Sequence, residues 1–138
     1  MSDPIYFHGI AAEDLSAKKG YAVIADASNS DKIALADAAN DDTGNELLGI
    51  LTNSPAAGEE AIVCIFGLCE AKAGAAIAPG QLVTTDGSTG KLEPAATGEH
   101  AIARYVPQLK STAGALAAGP DAADTYDIQV FVNLVYTI

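Results

Sequence analysis

The chain has 138 residues, eighteen Asp and Glu against seven Lys and Arg, a formal charge of −11, and no Trp. That length gives one ordinary domain, able to bury roughly two thirds of its unfolded surface without disulfide or metal. The charge argues against a nucleic-acid or anionic-membrane partner, because phosphate binding depends on Lys and Arg neutralising the backbone and releasing counterions. The start of the chain shows neither the basic n-region nor the apolar h-region of a signal peptide, and no apolar run reaches the eighteen or so residues of a membrane helix. A soluble protein made in a reducing cytoplasm is expected.

Residues 1–15 read as an extended arm, since Asp3-Pro4 disfavours helix and Ile5, Tyr6 and Phe7 place three large apolar side chains in succession. Residues 16–138 then read as a single β domain. Strands are expected at 21–25, 32–36, 46–52, 61–68, 81–85, 91–93, 101–107 and 125–136, separated by clusters of Ser, Asn, Asp, Pro and Gly. Within Asp86-Gly-Ser-Thr-Gly90 the residues that accept positive φ mark a hairpin. Eight short strands with frequent turns argue for a small all-β barrel or sandwich. Residues 70–76, rich in Ala, suit one or two helical turns, and the Ala/Gly-rich stretch 109–124 reads as one long surface loop or short helix.

A duplication runs through this order. Gly20-Tyr-Ala-Val-Ile-Ala-Asp26, then Lys32-Ile33, then Leu48-Gly49-Ile50-Leu51 is followed by Gly80-Gln-Leu-Val-Thr-Thr-Asp86, Lys91-Leu92 and Ile102-Ala103-Arg104-Tyr105. Each copy closes on a β-prone run, at 61–66 and 126–132. Repeat 1 is set at about 17–70 and repeat 2 at about 77–138. Two copies do not make a solenoid, which needs about three or more stacked units.

In the last run Ile128, Val130, Val132 and Leu134 share one face and should point into the core. Phe131 and Val135 then stand on the other face as contact candidates. Cys64 and Cys69 fall on opposite faces of a regular strand; reduced core cysteines are the favoured reading, and a mutual disulfide would need a bulge that Gly67 could supply.

No catalytic constellation stands out. His8 and His100 are the only histidines, and no metalloprotease, nucleophile-elbow or Cys/His metal spacing is present. Asp26 and Asp86, which a small β-barrel enzyme could use with His100, sit just after equivalent strands and fit turn capping better. Asp41-Asp42 and Glu59-Glu60 lack the alternating oxygen-ligand spacing of a calcium loop. No enzyme activity, no cofactor and no metal are therefore expected.

Gly49-Ile-Leu-Thr with Ala56-Ala-Gly-Glu-Glu-Ala-Ile-Val-Cys-Ile-Phe-Gly67, Ala75-Ala-Ile-Ala-Pro-Gly-Gln-Leu-Val-Thr-Thr-Asp86 and Gly90-Lys-Leu-Glu-Pro-Ala95 resemble the capsid-cement, or head-decoration, proteins of tailed bacteriophages. The resemblance covers about residues 17–107 and rests on turn-and-strand patterns; the arm and the 109–124 loop match poorly. It implies a non-enzymatic protein, made in the bacterial cytoplasm, that binds the major capsid protein on the outer surface of the virion. The family commonly does so as a homotrimer. Ile5, Tyr6 and Phe7 are then candidates for gripping the capsid or a neighbouring subunit, unless the arm folds back over its own sheet. Phe131 and Val135 are candidates for the trimer contact. A host-surface or carbohydrate-binding module of a fibre or adhesin is the alternative; the lack of Trp counts against it, while Tyr105, Tyr126 and Tyr136 keep it open.

Overall fold

The computed structural model describes residues 4–26, 31–36, 47–75, 77–78, 80–86, 89–96, 101–106 and 126–133, with the backbone alone at 126–129 and 133. All regular structure in these residues is β, in nine strands. They are β1 (Ile5–Ala11), β2 (Ala22–Ala25), β3 (Lys32–Leu35), β4 (Leu47–Leu51), β5 (Glu60–Ala73), β6 (Leu82–Thr85), β7 (Leu92–Pro94), β8 (Ala103–Val106) and β9 (Tyr126–Asn133). Eight of them answer the expected strands. The ninth is β1, which takes up the segment expected as an arm: it is extended, and it pairs antiparallel with β5 and, at Ile10 and Ala11, parallel with β3.

The pairing β1-β3-β2-β4-β5 closes on itself through β1–β5, giving a five-stranded barrel. Along its strands side chains alternate between inside and outside. Ala11, Val23, Ile33, Leu35, Leu51, Ala61 and Val63, drawn from every strand of the ring, meet with Leu15 in one cluster, the barrel interior. The intervening Ala22, Ile24, Ala34, Ile50 and Cys64 are buried too, in a second cluster shared with Ala71, Val83, Leu92, Ile102 and Val130. The strands of the first barrel are thus covered on both faces, which explains why 22–24 and 33–36 read as continuous apolar runs rather than alternating ones.

The remaining strands follow the same circuit, β5-β7-β6-β8-β9 with β5–β9. The first half of β5 completes one unit and its second half begins the next. Equivalence holds residue by residue. Tyr6 opposite Cys64 corresponds to Leu68 opposite Phe131, Ile10 opposite Glu60 to Lys72 opposite Asp127, and Ala11 beside Ile33 to Ala73 beside Leu92. Hydrogen bonds repeat likewise: the Gly20 and Gly80 N–H groups donate to Leu51 O and Tyr105 O, each at 2.8 Å, and those of Asp26 and Asp86 to Lys32 O and Lys91 O at 2.8 and 2.9 Å. Gly20 and Gly80 both take the left-handed conformation, with φ of 91° and 85°, where a Cβ would be strained.

The two units differ where they meet solvent. Positions Ile24, Ala34 and Ile50 of the first are Thr84, Glu93 and Arg104 in the second. The first set packs against repeat 2, while Glu93 is partly exposed and Arg104 exposed. The β6–β7 hairpin lies over β2 and β3, where Ala22 N–H donates to Gly90 O at 2.8 Å and the Thr85 hydroxyl to Ala36 O at 3.3 Å.

One local expectation is overturned. Residues 70–73 are strand, not helix, because β5 runs on past Gly67 and pairs antiparallel with β9 from Phe66–Asn133 to Ala73–Tyr126. That ladder outweighs the weak helical preference of alanine. The long loop expected at 109–124 lies outside the described residues.

Candidate functional site

Several carboxylates among the described residues are taken up by turns and strand edges. The Asp86 carboxylate accepts from Thr89 N–H at 2.8 Å and from its hydroxyl at 2.6 Å, closing the β6–β7 turn. Glu59 accepts from Ala56 N–H at 2.7 Å, and Glu60 meets His8 Nδ1 at 3.2 Å on an exposed edge. The Asp14 carboxyl is held below its ordinary value by the Ser16 hydroxyl first and the Ser16 N–H second. Among the described residues no three His, Cys, Asp or Glu side chains gather where a metal could be held, and no helix is long and apolar enough to cross a membrane. His100, Asp41 and Asp42 lie outside the described residues. A cavity of about 130 Å³ between Lys19, Gly20, Glu70, Ala71 and Lys72 carries charges of both signs and is lined by no hydroxyl or thiol.

The feature that departs from ordinary surface is apolar. Five large hydrophobic side chains are exposed among the described residues: Ile5 (54%), Tyr6 (45%), Phe7, Ile10 and Phe66. All five belong to β1 and β5. Ile5 stands opposite Phe66 in the register of the two strands. Phe66 in turn meets Phe131 of β9 edge to face, with ring centroids 5.2 Å apart and planes at 77°. Scattered exposed apolar residues need no explanation, but a grouped set marks an interaction surface.

Local structure holds the group in place. At the Phe66–Gly67 step β5 passes from its pairing with β1 to its pairing with β9. The β1–β5 register slips at this end, so that Ile5 faces Phe66 while Tyr6 faces Cys64, and Gly67 adopts φ of +108°. A Cβ on Gly67 would lie 2.9 Å from Pro4 Cα. Pro4 therefore sits directly on the bend, and only glycine admits that approach. Phe7 leans the other way, over Gly9 at the barrel mouth.

Of the contact candidates read from sequence, Ile5, Tyr6 and Phe7 are exposed on β1, and Phe131 is half-buried on β9, across Phe66 from Ile5. Val135 lies outside the described residues, as do Leu134 and the side chain of Ile128. The core assignment on the same strand holds for Val130 and Val132, both fully buried. Phe66 is the residue that sequence reading missed. It ends an apolar run, and only the β1–β5 and β5–β9 pairings bring it between Ile5 and Phe131. Tyr105, kept open as a sugar-stacking ring, packs partly against the shared core. No protein-family model, curated protein or solved structure matches the chain.

Proposed function

We propose that this protein is a bacteriophage head-decoration protein, binding the outside of the assembled capsid and stabilising it without catalysis. The observation that carries the reading is the exposed apolar pair of Ile5 and Phe66, opposite one another on β1 and β5, on a chain of net charge −11. Such a protein repels its own copies everywhere else, so contact concentrates where charge is absent. A barrel joined to a second β unit through one shared strand suits a clamp between neighbouring subunits of the major capsid protein. On a shell, many identical modest contacts reinforce one another, and no single large interface is required. The resemblance of residues 17–107 to the decoration family supports the same reading, as does the use of Asp86 and Glu59 in turns. The outer virion surface, a homotrimeric state and synthesis in the host cytoplasm belong to this proposal.

Co-sedimentation of the purified protein with expanded, undecorated heads of the phage that encodes it tests the reading. Saturable binding, weaker on unexpanded proheads, is expected. No binding to either shell overturns it, and a glycan array would then examine Tyr6 and Phe7 as sugar-stacking rings.

A further inference from the structure

The joint between the two units is a plug in a slot, and each unit carries an exposed counterpart of the half it does not use there. Among the described residues β1 pairs with β3 at two steps, Ile10–Lys32 and Ala11–Ile33, while β5 pairs with β7 only at the equivalent of the second, Ala73–Leu92. The step missing from the second unit, Lys72 beside Lys91, is where the first unit enters. Lys72 N–H donates to Gly20 O at 2.9 Å and Ala22 N–H donates to Gly90 O at 2.8 Å, so the backbone of residues 20–22 bridges the two strands. Gly20 seats there because it has no side chain: a Cβ would lie 3.1 Å from Lys72 Cγ and 3.2 Å from Lys72 N. Gly20, Ala22 and Gly90 are all buried in this joint.

The slot's counterpart in the first unit is Ile10 with Asp31, both exposed. There Ile10 N–H meets Asp31 O at 3.4 Å, beyond the usual N–H···O range of about 2.7–3.2 Å. The plug's counterpart in the second unit is the turn Gly80–Leu82. Its fold matches: Tyr21 N–H donates to Lys18 O at 3.0 Å, and Gln81 N–H to Ala78 O at 3.1 Å. Gly80, however, is exposed, and a Cβ on it would meet nothing within 4 Å. The carbonyl that Gly20 offers to Lys72 is offered by Gly80 to Arg104, whose guanidinium donates to it at 2.6 Å. Arg104 stands where the first unit has the fully buried Ile50, and Glu93 stands where it has the buried Ala34. The face that carries the plug is therefore apolar in the first unit and charged in the second.

We propose that Gly80–Leu82 is a plug for the Ile10–Asp31 slot of a second copy of this chain, and that Arg104 caps it, so that copies stay separate instead of growing head to tail. The occupant is read from the joint inside the chain, where the same turn on the same fold already fills the equivalent slot. A contact between unlike surfaces of identical copies runs on into rings or open filaments. Stacked repeats are kept soluble by a terminal unit with a polar outer face, and the second unit has that character here. Arg104 acts in two ways. It occupies Gly80 O with a charge-assisted hydrogen bond, and it sets a cation where the joint buries an aliphatic side chain, so a second copy would have to desolvate a charge.

The test is sedimentation velocity of the full chain and of Arg104→Ile over a range of concentrations, with circular dichroism to establish that both are folded. Arg104→Ile should sediment faster than the unsubstituted protein, and increasingly so as concentration rises. Adding Ile10→Asp to Arg104→Ile should restore the original size. That double variant keeps an uncapped plug, so mixing it into Arg104→Ile assemblies should shorten them. Hydrogen exchange at the Ile10 amide should slow in the assemblies. Arg104→Ile at the size of the unsubstituted chain would overturn the proposal. So would assemblies that survive Ile10→Asp, since those would be unspecific apolar association. Arg104→Ala uncaps Gly80 without adding a large apolar side chain and carries the same test if the isoleucine variant does not fold; an unchanged size then overturns the proposal equally. None of these outcomes depends on capsid binding.

Discussion

The Phe66 and Phe131 rings meet edge to face at 5.2 Å, joining the last residue of the first barrel's β5 segment to the closing strand of the second unit. Edge-to-face pairs contribute about 0.5–1.5 kcal/mol beyond the area they bury. A double-mutant cycle of Phe66→Leu and Phe131→Leu, read by urea unfolding, should return a coupling of that size. A coupling indistinguishable from zero would mean the contact does not hold the surface together.

Gly67→Ala should destabilise the protein by about 1–3 kcal/mol, the usual cost of holding a side chain in a sparsely populated backbone region. The added methyl group also meets Pro4 Cα at 2.9 Å. Hydrogen exchange should therefore speed up first along β1. Unchanged protection there, with lost stability elsewhere, would contradict the placement of Pro4 on the bend.

Ile33 and Leu92 occupy equivalent positions in the two repeats and are both fully buried. Truncating either to alanine should cost about 2–5 kcal/mol, the range for large aliphatic side chains in cores. The shared cluster makes the units interdependent, so each variant should still unfold in a single transition. Separate transitions seen by tyrosine fluorescence and circular dichroism would show that the two units fold independently.

Phe131 is half-buried beside the exposed Phe66, and in the proposed trimer it lies at the subunit contact. Phe131→Asp should then sediment as a folded monomer while the unsubstituted chain sediments as a trimer. A trimer that survives the substitution would move the contact elsewhere.

Much of the fold was legible in the sequence because turn chemistry and local β pattern are short-range signals. Gly20 with Asp26 and Gly80 with Asp86 mark equivalent turns, and the structure gives them equivalent hydrogen bonds. The role of 5–11 was hidden, since β1 pairs chiefly with β5, whose residues lie fifty or more positions away, and its exposed side chains carry no alternation to read. The same holds for 70–73, where alanine favours helix locally and only β9 decides otherwise. Ile5, Tyr6, Phe7 and Phe131 could be named from the sequence. Phe66 could not, because it becomes a surface residue only where β5 passes from its pairing with β1 to its pairing with β9.

The most direct measurement is the number of copies bound per expanded head, for the unsubstituted protein and for an Ile5→Asp, Phe66→Asp variant shown by circular dichroism to be folded. Saturable decoration by the first and at least a tenfold weaker affinity for the second, about 1.4 kcal/mol, is the predicted result. Equal occupancy of both would show that the apolar surface across β1 and β5 is not what meets the capsid.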